Sequence, residues 1–352
     1  MRYIKDWDAV QRRYIEYWHG ENHDRPILRV AAPRQRGKAS AITASARIED
    51  RYLDMEYQLA SFREYAENMY YGAEGFPIWA PDLGPDLIGA LLGCPLTFAE
   101  DTVWAGHLDR EWEELPPFAL DRNHRWYRAL IAMTEYAVRE ARGDFFVGFT
   151  DLHPGADALS GIRGPEKMCI DLIERPEVLS RRSFEILEMY KQIVDDLYPI
   201  TTQNLPGSTC WIGIWHPGKW YPTSSDFICM ISPRMFRQFI YPEIAAEIDW
   251  WEDTIFHLDG PQALCHLDAL LENPKLRGIQ WVYGDGAGTA SDWIPVLQRI
   301  QNAGKHFQVH AYPQDMKLLL ENLRPEGAMY TMGCRTPEDV DAIVKMAEGA
   351  YR

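Results

Sequence analysis

Phe256-His257-Leu258-Asp259-Gly260-Pro261 places an imidazole and a carboxylate two residues apart, at the end of an apolar, β-leaning run that a Gly-Pro breaker stops. Side chains on a strand alternate between faces, so His257 and Asp259 point the same way. Such a pair can bind a metal ion or move a proton; it can equally be a hydrogen-bonded structural pair. Asp151 and His153, in Asp151-Leu152-His153-Pro154-Gly155, repeat the spacing and share a face where strand geometry persists that far. They read as a catalytic proton-transfer pair, with loop capping by Asp151 as the alternative. Cys334 follows Met332-Gly333 and precedes a helix start, where the dipole favours a thiolate; a small buried turn residue is the other reading. His257, Asp259 and Cys334 together offer nitrogen, oxygen and sulfur donors, a set that suits a divalent metal of the zinc kind with a fourth position open to substrate.

Those residues lie far apart in the chain, so a scaffold must gather strand ends. Strand-like runs occur at 25–33, 75–80, 144–150, 209–215, 254–258, 278–283, 306–311 and 328–332, each followed by helical pattern. Strands alternating with helices predict a parallel sheet, and eight units predict a closed (β/α)8 TIM barrel, a single α/β domain over 1–352. A doubly wound open sheet is the alternative; the first βα turn lacks the Gly-rich phosphate fingerprint it would carry. Trp7, Val10, Tyr14, Ile15 and Trp18 sit at helical spacing and predict an N-terminal helical extension within 1–24. Residues 94–120 read as an irregular excursion, a candidate lid over the pocket.

Barrel chemistry sits at the C-terminal strand ends. Those ends carry Arg34; Trp79 and Asp82; Asp151 and His153; Trp215 and His216; His257 and Asp259; Tyr283 and Asp285; His310 and Tyr312; and Cys334. Arg34, Arg36 and Lys38 form a basic loop, either solvated or an anion contact at the pocket mouth. His216, before Pro217-Gly218, also reads as a turn residue. Asp226 either caps the turn after it or reaches into the pocket.

The net charge of −16 argues against nucleic acid or an anionic membrane as partner, since both need clustered Lys and Arg. The six cysteines are scattered without a CxxC, as reduced thiols of a cytoplasmic protein would be. The first residues have no apolar core of a signal peptide, and no run approaches the ~20 apolar residues of a membrane span.

The chain resembles the uroporphyrinogen decarboxylase-like superfamily. The segments that carry the resemblance are Asp171-Leu172-Ile173-Glu174-Arg175-Pro176-Glu177, Ser225-Asp226-Phe227-Ile228-Cys229-Met230-Ile231-Ser232-Pro233, His257-Leu258-Asp259-Gly260, Gly278-Ile279-Gln280-Trp281 and Gly333-Cys334. The resemblance implies a (β/α)8 barrel with its site at the C-terminal mouth. One branch of that superfamily decarboxylates a tetrapyrrole without a cofactor. The other comprises zinc-dependent methyltransferases, which move a methyl group from a methyl-corrinoid protein to a thiol such as coenzyme M, or work in folate-linked demethylation. That branch holds zinc with a His-x-Cys pair and a distant Cys, and the matching positions here are His257, Asp259 and Cys334, with Asp in place of the middle Cys. Where the decarboxylase branch has its Arg-rich signature, this chain has Val30-Ala31-Ala32-Pro33-Arg34-Gln35-Arg36.

The expected function is therefore zinc-dependent methyl transfer, with Asp151 and His153 catalytic. Arg34, Trp79, Asp82, Trp215, His216, Gln280, Tyr283 and His310 are the expected substrate contacts. A small-molecule substrate, a corrinoid protein and a second copy in a homodimer are the expected partners. A metal-free decarboxylase acting on a small acidic substrate, and a non-catalytic ligand-binding barrel, are the competing readings.

Overall fold

The computed structural model describes residues 1–37 and 40–351, so Lys38 of the basic loop lies outside the described residues. Its strands are β1 (Ile27–Pro33), β2 (Met69–Ala73), β3 (Ile78–Trp79), β4 (Leu96–Phe98), β5 (Val103–Ala105), β6 (Phe146–Val147), β7 (Thr223–Ser224), β8 (Ile255–Asp259), β9 (Gly278–Val282), β10 (His306–His310) and β11 (Ala328–Gly333). Seven of them form one sheet in the order β2-β1-β11-β10-β9-β8-β7. Every pairing in it is parallel except β1 with β2. Helices separate the parallel strands in the chain, as parallel pairing requires. β8 to β11 are buried almost end to end, the pattern of strands covered on both faces. The protein is thus a mixed α/β fold built on a mostly parallel sheet.

β3 and β6 make a separate parallel pair. Single backbone bonds continue outward from it and from β1. Gly148 N–H donates to Trp79 O at 2.8 Å, Phe149 N–H to Thr209 O at 3.0 Å, and Glu74 N–H to Leu28 O at 3.0 Å.

Helix α1 (Trp7–His19) is capped by the Asp6 carboxylate at one end and by left-handed Gly20 at the other. It buries Val10, Tyr14, Tyr17 and Trp18. Just past it, Asn22 bonds Pro325 O at 2.6 Å and the Gly327 N–H at 3.0 Å, which places this end of α1 beside the N-terminal end of β11.

Three expectations change. The helical pattern after the first strand-like run is two helices, Ile48–Leu53 and Met55–Asn68, followed by the antiparallel β2. Asp54 makes the break, its carboxylate accepting from the Glu56 and Tyr57 N–H groups. The excursion at 94–120 begins with an antiparallel hairpin, β4 with β5, and then buries Trp112, whose Nε1 donates to Asp171 Oδ2 at 2.7 Å.

The third change is the fourth strand. Residues 209–215 fold back on themselves, with Ser208 and His216 bridged antiparallel and Gly213 at φ 81° in the turn. Glycine takes that conformation without strain. Trp215 is thereby carried to α1: its ring packs 5.9 Å from Trp7, and its carbonyl accepts from Trp18 Nε1. His216 Nδ1 accepts from the Gly218 N–H, and its Nε2 faces Asp253, just ahead of β8, at 3.2 Å. Both side chains lie at the N-terminal side of the sheet, and a contact with substrate at the C-terminal ends is not open to them. The place expected for this strand beside β8 is taken by β7, in which Ser224 pairs with His257.

Candidate functional site

The site is assembled by three segments that leave the C-terminal ends of β6, β7 and β8. After β6 the chain passes Asp151 and His153 and enters helix Gly155–Arg163, which carries Asp157 one turn past His153. Asp157 accepts from the N–H groups of Asp226 and Phe227, both at 2.9 Å, and so ties the turn after β7 to this helix. That tie positions Asp226.

His153 lies between two carboxylates. Its Nε2 is 3.1 Å from Asp151 Oδ1, and its Nδ1 is 3.3 Å from Asp157 Oδ2 and 3.1 Å from Ser224 Oγ. Burial alone would drive off the ring proton, but the two carboxylates outweigh it and hold the His153 pKa well above its ordinary value. The same contacts outweigh burial at Asp151 and Asp157 and keep both below the usual carboxylate range. Asp151 Oδ1 also accepts from the Tyr221 hydroxyl at 3.2 Å. The structure therefore brings the expected Asp151 and His153 into contact, and the two carboxylates favour the imidazolium, a form fitted to give a proton or stabilise an anion.

Next to it, the ligand atoms of Asp226, His257 and Asp259 lie within 4.8 Å of one another. His153, Asp157 and Asp226 form a second such group, so Asp226 joins the two. Gln280 Oε1 stands 2.5 Å from His257 Nδ1. A carbonyl there requires a hydrogen on Nδ1, which leaves the Nε2 lone pair free, 3.8 Å from Asp226 Oδ1. Partial burial and the neighbouring Asp157 carboxylate push up Asp226, whose side chain is still 53% exposed, and a bound cation would offset the repulsion. The donor set, one imidazole and two carboxylates, fits a divalent metal.

Cys334 is in neither group. β9 and β10 stand between β8 and β11, and the Cys334 N–H is bound to Ala31 O at 2.8 Å in the turn after β11. Burial and Asp339 raise its thiol to about 11, the opposite of the thiolate expected there. All six cysteines are free.

The remaining expected contacts divide. Gln280 is beside His257, and Asp82 is pushed up by burial and by Asp151 nearby. Tyr283 donates to His310 O at 3.2 Å at the ends of β9 and β10. Trp79 points away from these groups, into an apolar cluster with Leu59, Phe145 and Val147, because strand alternation gives it the helix-covered face. Arg34 bonds Met69 O and lies 5.3 Å over the Tyr70 ring, lining a cleft of about 770 Å³ against α1. Asp157, Tyr221 and Trp211 were not legible as site residues. Only Asp157 had a signal, its i+4 spacing from His153 at a helix start.

No protein-family model and no curated protein matches the chain. Among solved structures, a methyltransferase from Methanosarcina mazei matches with a TM-score of 0.61 at 12% identity, over 98% of this chain and 99% of that one. At such identity the likeness is one of fold.

Proposed function

We propose that the chain is a metal-dependent methyltransferase of the uroporphyrinogen decarboxylase-like superfamily, a closed (β/α)8 barrel with zinc at its mouth. The observation that carries this is the convergence of Asp226, Asp259 and the free Nε2 of His257 within 4.8 Å. The eight strand-and-helix units of the sequence and the mostly parallel sheet support the barrel. The fold likeness to a methyltransferase over both full lengths supports the reaction class.

Asp226, Asp259 and His257 would hold the ion, with Gln280 fixing the ring. The ion would supply a Lewis acid that turns a thiol acceptor into a nucleophile at neutral pH. Trp211 packs edge-on against His257 at 5.1 Å and screens it from water. His153, kept cationic by Asp151 and Asp157, places positive charge and a proton beside the reacting groups. The methyl donor would be a methyl-corrinoid borne by a partner protein.

Cationic His153, with Asp82 and Asp226 pushed up towards the neutral acid, also favours a second reading, a metal-free decarboxylase that protonates a carbanion. Elemental analysis and chelation separate the two. The methyltransferase reading expects about one zinc per chain, lost in His257→Ala and kept in Cys334→Ala. Zinc-free protein, or zinc undiminished in His257→Ala, would refute it, and turnover unaffected by EDTA would favour the lyase.

A further inference from the structure

Arg29 lies on β1 with its side chain on the sheet face that carries the site. Residues paired across parallel strands share a face, and the register links Arg29 to Thr331, Thr331 to His310, Gln308 to Gln280, and Gln280 to His257. Side-chain bonds follow the same face, with Gln308 Nε2 donating to Thr331 Oγ1 at 3.0 Å and Gln280 meeting His257.

Arg29 is only partly exposed, and its Nε is sealed from solvent with no acceptor. Among the described residues it has no ion-pair partner, although the chain carries 52 acidic and 36 basic residues. Other inward-facing arginines are matched: Arg25 by Glu74, Arg163 by Asp171 and Arg182 by Glu185. Tyr14, Tyr71, Cys210 and His310 are among the ionisable groups near enough to feel its charge. Burial raises the first three and, with Arg29, lowers His310, so none carries negative charge at neutral pH. Its guanidinium therefore faces the site without a carboxylate in ion-pair range among the described residues.

Its place is fixed by shape. A Cβ on Gly213 would collide with the Arg29 guanidinium. Two residues earlier in the same turn, Trp211 touches His257. One short turn thus meets both Arg29 and His257, so a molecule reaching from one to the other is small.

We propose that Arg29 anchors a carboxylate of the substrate, so that the substrate is a small organic acid whose other end reaches the His257 group. The planar guanidinium suits a carboxylate. The inference rests on the proposed function only for which face holds the substrate.

The test is calorimetric titration of EDTA-treated protein with 3-mercaptopropionate and with its neutral amide, 3-mercaptopropionamide. Wild type is expected to bind the acid at least about tenfold more tightly than the amide. That ratio should fall towards one in Arg29→Met and, with the charge retained but displaced, in Gly213→Ala. Arg29→Met should melt no lower than wild type, since it removes an unpaired charge. Equal binding of acid and amide by wild type would overturn the proposal, as would a ratio kept in Arg29→Met. Where Arg29→Met does not fold, the ratio in Gly213→Ala decides. The measurement is made without metal, so failure of the zinc site leaves this result standing, and failure of the ratio leaves the zinc site standing.

Discussion

Glu247 sits fully buried on helix Tyr241–Trp250, with the Tyr190 hydroxyl and the Trp251 indole near its carboxyl but neither in good hydrogen-bond geometry. Burial is the main cause of a carboxyl pKa raised to about 8. The sign follows from linkage. The folded state holds a proton that the unfolded chain releases near its ordinary carboxyl pKa, so this contribution is complete at low pH and is lost as pH rises towards 8. Each pH unit in that window costs about 1.4 kcal/mol, so rising from pH 5 to pH 7 removes about 3 kcal/mol at most. At about 2.1 cal/mol/K per residue, that corresponds to a fall of about 4 °C in Tm for a chain of this length. Glu247→Gln keeps the shape and cannot ionise. Its neighbour Glu243 is likewise raised well above its ordinary value, by burial and by Glu247. Scanning calorimetry of both proteins at pH 5, 6, 7 and 8 should show the Tm of Glu247→Gln gaining on wild type by a few degrees across the series. A difference that stays flat with pH would refute the reasoning, because a buried carboxyl without a counter-charge cannot ionise without cost.

Gln280→Leu leaves His257 in place but removes the acceptor at its Nδ1, and zinc affinity by chelator competition should fall about ten- to hundred-fold. Asp157→Asn removes one of the two carboxylates that hold the His153 proton and weakens the tie to the turn after β7; stability should drop by about 3 kcal/mol in urea titration. In that variant the His153 pKa, followed by NMR, should move down, so the stability lost as pH rises through it is lost at lower pH. His216→Asn breaks the contact with Asp253 far from the site, so it should cost about 1–2 kcal/mol of stability while zinc affinity stays within about twofold.

The sequence by itself determined β8 to β11, because short runs rich in β-branched, aromatic and other apolar residues, each followed by a helical pattern, read as strands of a parallel sheet. It also determined that His257 and Asp259 share a face and that Asp151 and His153 lie in contact, since strand alternation and short spacing are local properties. It misplaced Trp215 and His216, because 209–215 has the composition of a strand while a left-handed Gly213 turns it back on itself. Tertiary structure alone decided that Asp226 rather than Cys334 joins His257. The bonds from Asp157 to the backbone of Asp226 and Phe227 cross 69 and 70 residues, and the strand order holds β11 away from β8. Donor type is written in each residue, but the distance between donors depends on contacts between segments that no local pattern encodes.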